Sequence, residues 1–382
     1  MNIVCGPKRQ GRISIYESAS QLPAGWDRLL PEGHALQSSQ LRLYESAGLP
    51  DITHFYAIAG TEQQPVAIAC FQVLQIRNYH INYSQLGSIR AGGIQLLLSV
   101  IRPRLLVAGH LFRHDITAFY APSLGNMDAY RIYESMTAMV LKKSCAMAAL
   151  IKDMPPQLVD YFRNFARQYQ FLPNDINMEM QLPGHWSCFT DYEHALKHKY
   201  AQKLRKVRQA LSGVEIRELT PAEVRAQKEN IYRLYRQVSD KQSLSLGFLN
   251  ADFLPLLKEA YDEQLKIWGF YEQGIMVAFA SAWVRDQSFD MFYIGFDYAR
   301  NTSLQLYFNI LYFSIEQAIL LRKPRLILGR TALEAKARLG CTPHYLYTFL
   351  LVRNPYLRRL VAGQMRDQYR QEGAWEERHP FK

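Results

Sequence analysis

Two stretches of this chain, "HFYAIAGTEQQPVAIACFQVLQ" at 54–75 and "KIWGFYEQGIMVAFASAWVRD" at 266–286, share one plan. Each is an apolar run, a polar turn holding glycine, and a second apolar run, which reads as a β-hairpin. They lie 212 residues apart. A second pair, "RLLVAGHLFRHDITAF" at 104–119 and "RLILGRTALEAKARLG" at 325–340, lies about 220 apart. Each of these is an apolar run, a glycine and a polar turn, with a basic helical stretch clearest in the second. Two matches in the same order and at similar offsets predict an internal duplication, with halves at 1–180 and 181–382. A length of 382 residues accommodates two or three domains.

The second half is the more legible. Residues 191–211 predict a basic helix, 221–239 a second, and 250–264 a third with Asn250 as N-cap. "SFDMFYIGFD" at 288–297 reads as an aromatic-rich strand, "YARNTS" as a turn, and 304–321 as a largely buried helix. Pro324 ends it. Strand 325–328, a short helix and a strand at 344–352 follow. Strands alternating with helices, plus antiparallel hairpins, predict a mixed α/β sheet.

The formal net charge is +11, a field that favours anionic partners: nucleic acid, acidic lipid surfaces or phosphate-rich cofactors. Five scattered cysteines form no CxxC pair. Their odd number and the absence of an apolar signal core in "MNIVCGPKRQGR" predict reduced thiols and a cytoplasmic location, with surface contact to a membrane left open. "GGIQLLLSVIRPRLLVAGHLF" is broken by Arg102, Pro103 and Arg104, so neither flank reaches membrane-spanning length. There is no HExxH, P-loop, GxSxG or metal-fit carboxylate cluster, so no tightly bound cofactor or metal is expected.

The order hairpin, strand, polar turn, helix, strand, helix, strand is similar to the GNAT acyltransferase fold. "HKYAQKLRKVRQAL" at 198–211 and residues 295–340, which end in Gly, a polar turn and a Lys-x-x-x-Gly helix, resemble twin-domain FemAB-like and BioF2-like N-acyltransferases. The resemblance implies two tandem GNAT-like domains, the first divergent, and transfer of an activated acyl or aminoacyl group to an amine of an amino acid, lipid or cell-wall precursor. Acyl-CoA, an acyl carrier protein or an aminoacyl-tRNA would be the donor. The Gln/Arg-x-x-Gly-x-Gly/Ala loop of acetyl-CoA enzymes has no match, because "ARNTSLQL" lacks glycine. Two other readings stand beside it: aminoacyl-tRNA-dependent peptidoglycan peptidyltransfer, and a non-catalytic anion binder of the same fold. A nucleic-acid-binding protein is a third, but the sequence holds no recognisable reading motif, and DNA is not an expected partner.

The candidate residues follow from the chemistry. Amide formation needs a neutral amine, a stabilised carbonyl oxygen and a protonated leaving group. Tyr293, Asp297 and Asp240 are the candidate acid/base groups. Arg300, Asn301, Thr302 and Ser303, before a long helix, suit a phosphate-rich donor. Arg330 and Thr331, at a strand end, suit a carboxylate or phosphate, with Lys336 beyond them and Glu334–Arg338 spaced as an intrahelical pair. His110 is expected as the first-half counterpart of Arg330. The helix at 197–208 carries six bases and no acid, and with Tyr200 and Arg205 it offers a phosphate landing stripe. His114–Asp115 is a lone pair that ordinary surface polarity explains.

Overall fold

The computed structural model describes residues 12–83, 88–113, 117–172, 175–242, 245–356, 358–359 and 376–382. His114 and Asp115 lie outside the described residues. The described residues form two compact units. Unit 1 takes those within Met1–Pro173, Ser243–Phe248 and Leu346–Arg370, and unit 2 those within Asn174–Gln242, Leu249–Tyr345 and Gln371–Lys382.

Unit 1 runs β1 (Ile13–Tyr16), α1 (Ala24–Arg28), α2 (Ser38–Ser46), β2 (Ile52–Gly60), β3 (Pro65–Gln75), α3 (Ser88–Ile101), β4 (Arg104–Ala108), β5 (Phe119–Tyr120), α4 (Asn126–Lys143), β6 (Ala148–Ile151), α5 (Pro156–Phe165) and β7 (Tyr169–Leu172). Unit 2 runs β8 (Ile176–Gln181), α6 (Phe189–Ala195), α7 (His198–Ala210), β9 (Val214–Glu218), α8 (Pro221–Ala226), α9 (Lys228–Ser239), α10 (Phe253–Ala260), β10 (Leu265–Glu272), β11 (Ile275–Val284), β12 (Ser288–Phe296), α11 (Tyr298–Leu304), α12 (Leu306–Leu320), β13 (Arg325–Gly329), α13 (Leu333–Ala337) and β14 (Thr342–Tyr345). The last strand, β15 (Thr348–Val352), belongs to unit 1.

The duplication is visible in strand order. Sheet 1 is β1-β2-β3-β4-β6-β15-β7 with β5 beside β3, and sheet 2 is β9-β10-β11-β12-β13-β8-β14. Both run antiparallel except for one parallel pair at the fourth and fifth positions, β4 with β6 and β12 with β13. In each sheet the sixth strand comes from the other end of the duplication: β15 lies between β6 and β7, and β8 between β13 and β14. This is the mixed α/β architecture, in two units of like strand order, that the resemblance implies.

The repeated order corrects one alignment. The hairpins β2–β3 and β10–β11 do correspond, but β4 occupies the position of β12, and the counterpart of β13 is β6. His110, which follows β4, is therefore not the counterpart of Arg330. An apolar run ending in glycine describes any strand that exits into a turn, so the likeness of 104–119 to 325–340 carried no position.

Local chemistry explains the elements. The β10–β11 turn is Gln273–Gly274, with φ of 50° and 79°; two positive values are what a two-residue turn matching strand twist requires. In unit 2, α12 is apolar on nearly all sides because it is covered on nearly all sides. Ile310, Leu311, Ile315 and Ala318 are fully buried, and Phe313 packs edge-on against Trp268 and Phe270 at 5.3 and 5.5 Å. In unit 1, α4 buries Tyr133, Met136 and Val140, and Phe119 stacks on Tyr133 at 4.6 Å. Each such side chain contributes about 1.5–3 kcal/mol of burial.

Several sequence-based helices are broken more finely than the pattern suggested. The basic helix divides into α6 and α7, and 221–239 into α8 and α9. The "YARNTS" segment is not a turn: it is α11, and Gln305 at φ 50° breaks it from α12. The N-cap position of α10 is Asp252, not Asn250.

Candidate active site

The sheet of unit 2 opens between its two parallel strands. β12 and β13 pair only at Ser288–Arg325, Phe289–Leu326 and Asp290–Ile327. Beyond these, β12 continues to Phe296 and β13 to Gly329 without mutual pairing. The carboxyl ends of parallel strands, where neighbours part, are where α/β sheets place ligands.

Along the unpaired part of β12 the register against β11 slips by one residue, from Ala280–Ile294 to Ala282–Met291. This is a β-bulge, a device that re-aims backbone and side chains. Ser281, 1% exposed, buttons it: its Oγ accepts from Tyr293 N at 2.9 Å and donates to Tyr293 O at 2.7 Å. Tyr293 is half-buried, edge-on to Tyr235 at 5.6 Å and beside Phe253 and Phe292. Burial first, and Tyr235 second, raise its hydroxyl well above the ordinary tyrosine range. At neutral pH the phenol is a proton donor and not a base. Tyr235 reaches β12 because residue 295 is glycine; a Cβ there would lie 2.4 Å from Tyr235 N and 2.5 Å from Leu234 C.

The other proposed acid/base groups are committed to local structure. Asp297 is the N-cap of α11 and accepts from Ala299 N at 2.9 Å. Asp240 follows α9 and pairs with Arg236 at 2.8 Å.

The expected phosphate cradle at 300–303 has its donors in use. Tyr298 N donates to Gln237 Oε1 at 3.0 Å, and Arg300 N and Asn301 N donate to Asp297 O. Asn301 Oδ1 accepts from Tyr307 N at 3.0 Å, serving the start of α12. Arg300, 55% exposed, pairs with Glu272 at 3.1 Å, and Thr302 and Ser303 are exposed on α11.

At the end of β13, Arg330 Nη1 donates to both carboxylate oxygens of Asp175, at 3.0 and 2.9 Å. Its charge is matched from within the unit. Thr331 is exposed. Glu334 and Arg338 pair at 2.6 Å, as their spacing predicted. Lys336 is not solvated: it is 2% exposed, and its Nζ donates to Gly329 O at 3.1 Å. Gly329 has φ of 87°, a conformation in which glycine alone is unstrained. Desolvation brings the Lys336 ammonium down to about 7.

The basic face of α7 is largely partnered. Arg205 pairs with Glu193 at 2.6 Å and Arg208 with Glu316 at 2.8 Å. Lys199 lies over the half-buried Tyr200 ring at 5.0 Å and Lys203 over Phe308 at 5.1 Å. Lys197 Nζ donates to His379 O at 2.9 Å. Two of the six bases are thus neutralised by acids, and Lys197, Lys199 and Lys203 keep their charge while resting on a carbonyl or a ring. The helix does tie the site together, because Asn309 of α12 donates to Val207 O and Leu304 O, both at 2.9 Å. His110 is in unit 1, buried, its ring 4.5 Å from Tyr44 and its carbonyl accepting from Lys152 Nζ at 3.3 Å.

The profile of a family described as FemAB-like, peptidoglycan biosynthesis/recognition, matches residues 165–382, more than half of the chain. The chain belongs to the FemAB-like family. No curated protein sequence matches it. Among solved structures, it is similar to a tandem GNAT protein from the clavulanic acid biosynthesis pathway, at 7% identity, 90% of this chain, 99% of that chain and a TM-score of 0.48. It is similar to FemX at 8% identity, 80% and 89% coverage and a TM-score of 0.46. L-PGS from Bacillus licheniformis aligns at 10% identity, 78% and 86% coverage and a TM-score of 0.46.

Within this FemAB-like chain, several residues at the fork gave no sequence signal. Ser281 sits in an apolar strand run and reads as filler. Tyr307 has a buried hydroxyl with no hydrogen-bond partner among the described residues, and Cys341 is 3% exposed. Burial pushes the Cys341 thiol up to about 12, so it is a neutral packing group and not a nucleophile. Among the described residues no group of His, Cys, Asp and Glu side chains could hold a metal ion.

Proposed function

We propose that this chain is an N-acyltransferase whose reaction takes place in the β12–β13 fork of unit 2. The opening between parallel strands, with a bulge beside it and a neutral tyrosine on that bulge, is the observation that carries the reading. The amine attacks the donor carbonyl, a C–N bond forms, and the bond from carbonyl carbon to leaving group breaks. Tyr293 gives its proton to the departing thiolate or alkoxide and regains one from the attacking nitrogen, so that protons balance. Arg300, Thr302 and Ser303, whose side chains are exposed where α11 continues from β12, are the donor-side candidates through those side chains, Arg300 exchanging Glu272 for the donor, with Asn301 holding the start of α12. Asp297 and Asp240 act by shaping this end of the unit. On the acceptor side, Lys336 fixes the carbonyl at the end of β13 and so positions the Arg330–Thr331 turn. Tyr200 and Arg205 on α7 are substrate-side candidates, and His110, buried in unit 1, has no part in the fork of unit 2.

Family membership favours one version: an aminoacyl-tRNA as donor and a peptidoglycan or lipid precursor amine as acceptor. Acyl-CoA or an acyl carrier protein is the second version, supported by the same fork. Neither version asks for a resident cofactor. Tyr293→Phe tests the chemistry. It keeps the ring among Tyr235, Phe253 and Phe292 and removes only the proton donor. We expect kcat to fall about 100-fold with KM nearly unchanged. Unchanged kcat would remove Tyr293 from the reaction.

A further inference from the structure

We infer that unit 1 docks on an anionic phospholipid surface through α3. The helix reads SIRAGGIQLLLSVI, without an acidic residue, yet the side chains described from Gly92 onward are exposed or half-buried. Leu96 is 67% exposed, Val100 73% and Ile101 46%. Leu96 and Val100, four apart, lie on one helix face, and Ile101 adjoins them. The element that α3 chiefly meets is the short turn Asn78–His80, whose Tyr79 is itself 49% exposed. A helix so apolar ordinarily has neighbours on every side or lies in lipid.

Charge selects the occupant. From residue 63 to residue 114 the sequence contains no Asp or Glu, but it contains Arg77, Arg90, Arg102, Arg104 and Arg113. Arg77 pairs with Asp51 at 3.0 Å, and Arg113 is buried against Tyr44, so neither serves the surface. Arg102 is exposed immediately after Ile101. Arg104 is exposed too and donates to Ser144 O at 3.1 Å, which brings the C-terminal end of α4, with its exposed Lys142, alongside. An apolar face with a basic rim and no acid in its stretch of chain is complementary to acidic headgroups above acyl chains. The helix lies on the membrane and does not cross it: 14 residues span about 21 Å, against a hydrocarbon core of about 30 Å. Among the described residues no helix is long and apolar enough to cross a membrane.

The test is co-sedimentation of the full chain with vesicles of phosphatidylglycerol and phosphatidylethanolamine, compared with phosphatidylcholine alone. The wild type should bind the acidic vesicles, and binding should weaken at least about tenfold as salt rises and surface charge is screened. Leu96→Asp with Val100→Asp should lower partitioning by at least about tenfold. Both positions are exposed, so the melting temperature should stay the same. A gain-of-signal arm guards against misfolding: Leu96→Trp should add a fluorescence that brominated phosphatidylglycerol quenches. Absence of vesicle binding, equal binding by the double variant, or added fluorescence in Leu96→Trp that the brominated lipid leaves unquenched would overturn the proposal. So would a concentration-dependent dimer that the double variant abolishes while no vesicle is bound, because a second copy would then be the occupant.

Discussion

Alanine at Gly295 is expected to unfold unit 2 at temperatures the wild type survives. The added Cβ would sit 2.4 Å from Tyr235 N and 2.5 Å from Leu234 C, both backbone atoms of α9, and 2.5 Å from the Phe279 ring. Backbone atoms cannot rotate away, so α9 must lift from β12, and with it the Tyr235 ring that packs on Tyr293. Overpacking of this kind costs about 3 kcal/mol or more, which shifts the melting temperature of a unit this size by on the order of 10 °C. Gly184→Ala is the control: nothing lies within 4 Å of its added Cβ and its φ is not in the left-handed region, so its melting should match the wild type. Differential scanning calorimetry of the three proteins decides it; a Gly295→Ala protein as stable as Gly184→Ala would mean that α9 does not pack on β12 as described.

Replacing Lys336 with methionine should produce a stability difference that changes sign with pH. The folded amine titrates at about 7 and the unfolded one near the ordinary lysine value of 10.5. Between these values the unfolded chain holds more protons than the folded one, so wild-type stability rises with pH from about 7 to about 10.5. The shift corresponds to a few kcal/mol, an order-of-magnitude figure. At pH 7 and below, the wild type carries the full penalty of desolvating the amine, and Lys336→Met, free of it, should be the more stable. Above pH 10.5 the wild-type amine is neutral in both states, and by about pH 10 most of the penalty is gone. There methionine should be worse by about 1–3 kcal/mol because Gly329 O loses its donor. Urea unfolding at pH 6.5, 8 and 10 measures this. Parallel stability curves for the two proteins would show that Lys336 is solvated.

What could be read before the structure was mostly local. The hairpins were legible because two apolar runs broken by the polar turn Glu272–Gln273–Gly274 have few other solutions. The burial of α12 was legible because its sequence is apolar on every face. Strand exchange was not, since nothing in "INMEMQ" states that β8 will pair with β13 and β14 rather than with the strands preceding it. The same non-locality explains the misplaced echo of β4 in β13. Charges misled for a related reason. Arg205, Arg208 and Arg330 look like free cations in sequence, whereas Glu193, Glu316 and Asp175, at separations of 12, 108 and 155 residues, match them. Lys336 misled in the opposite sense: a lysine in a short helical segment reads as solvated, and its burial depends on how α13 closes over Gly329.

Amide formation by unit 2 is the decisive activity. Purified protein incubated separately with labelled aminoacyl-tRNA and labelled acyl-CoA, each with lipid and cell-wall precursor amines, should give a mass-resolved amide product from one donor. That product should fall about 100-fold with the folded Tyr293→Phe variant. Amide formed equally well by that variant, or no amide from either donor, would contradict the proposed reaction.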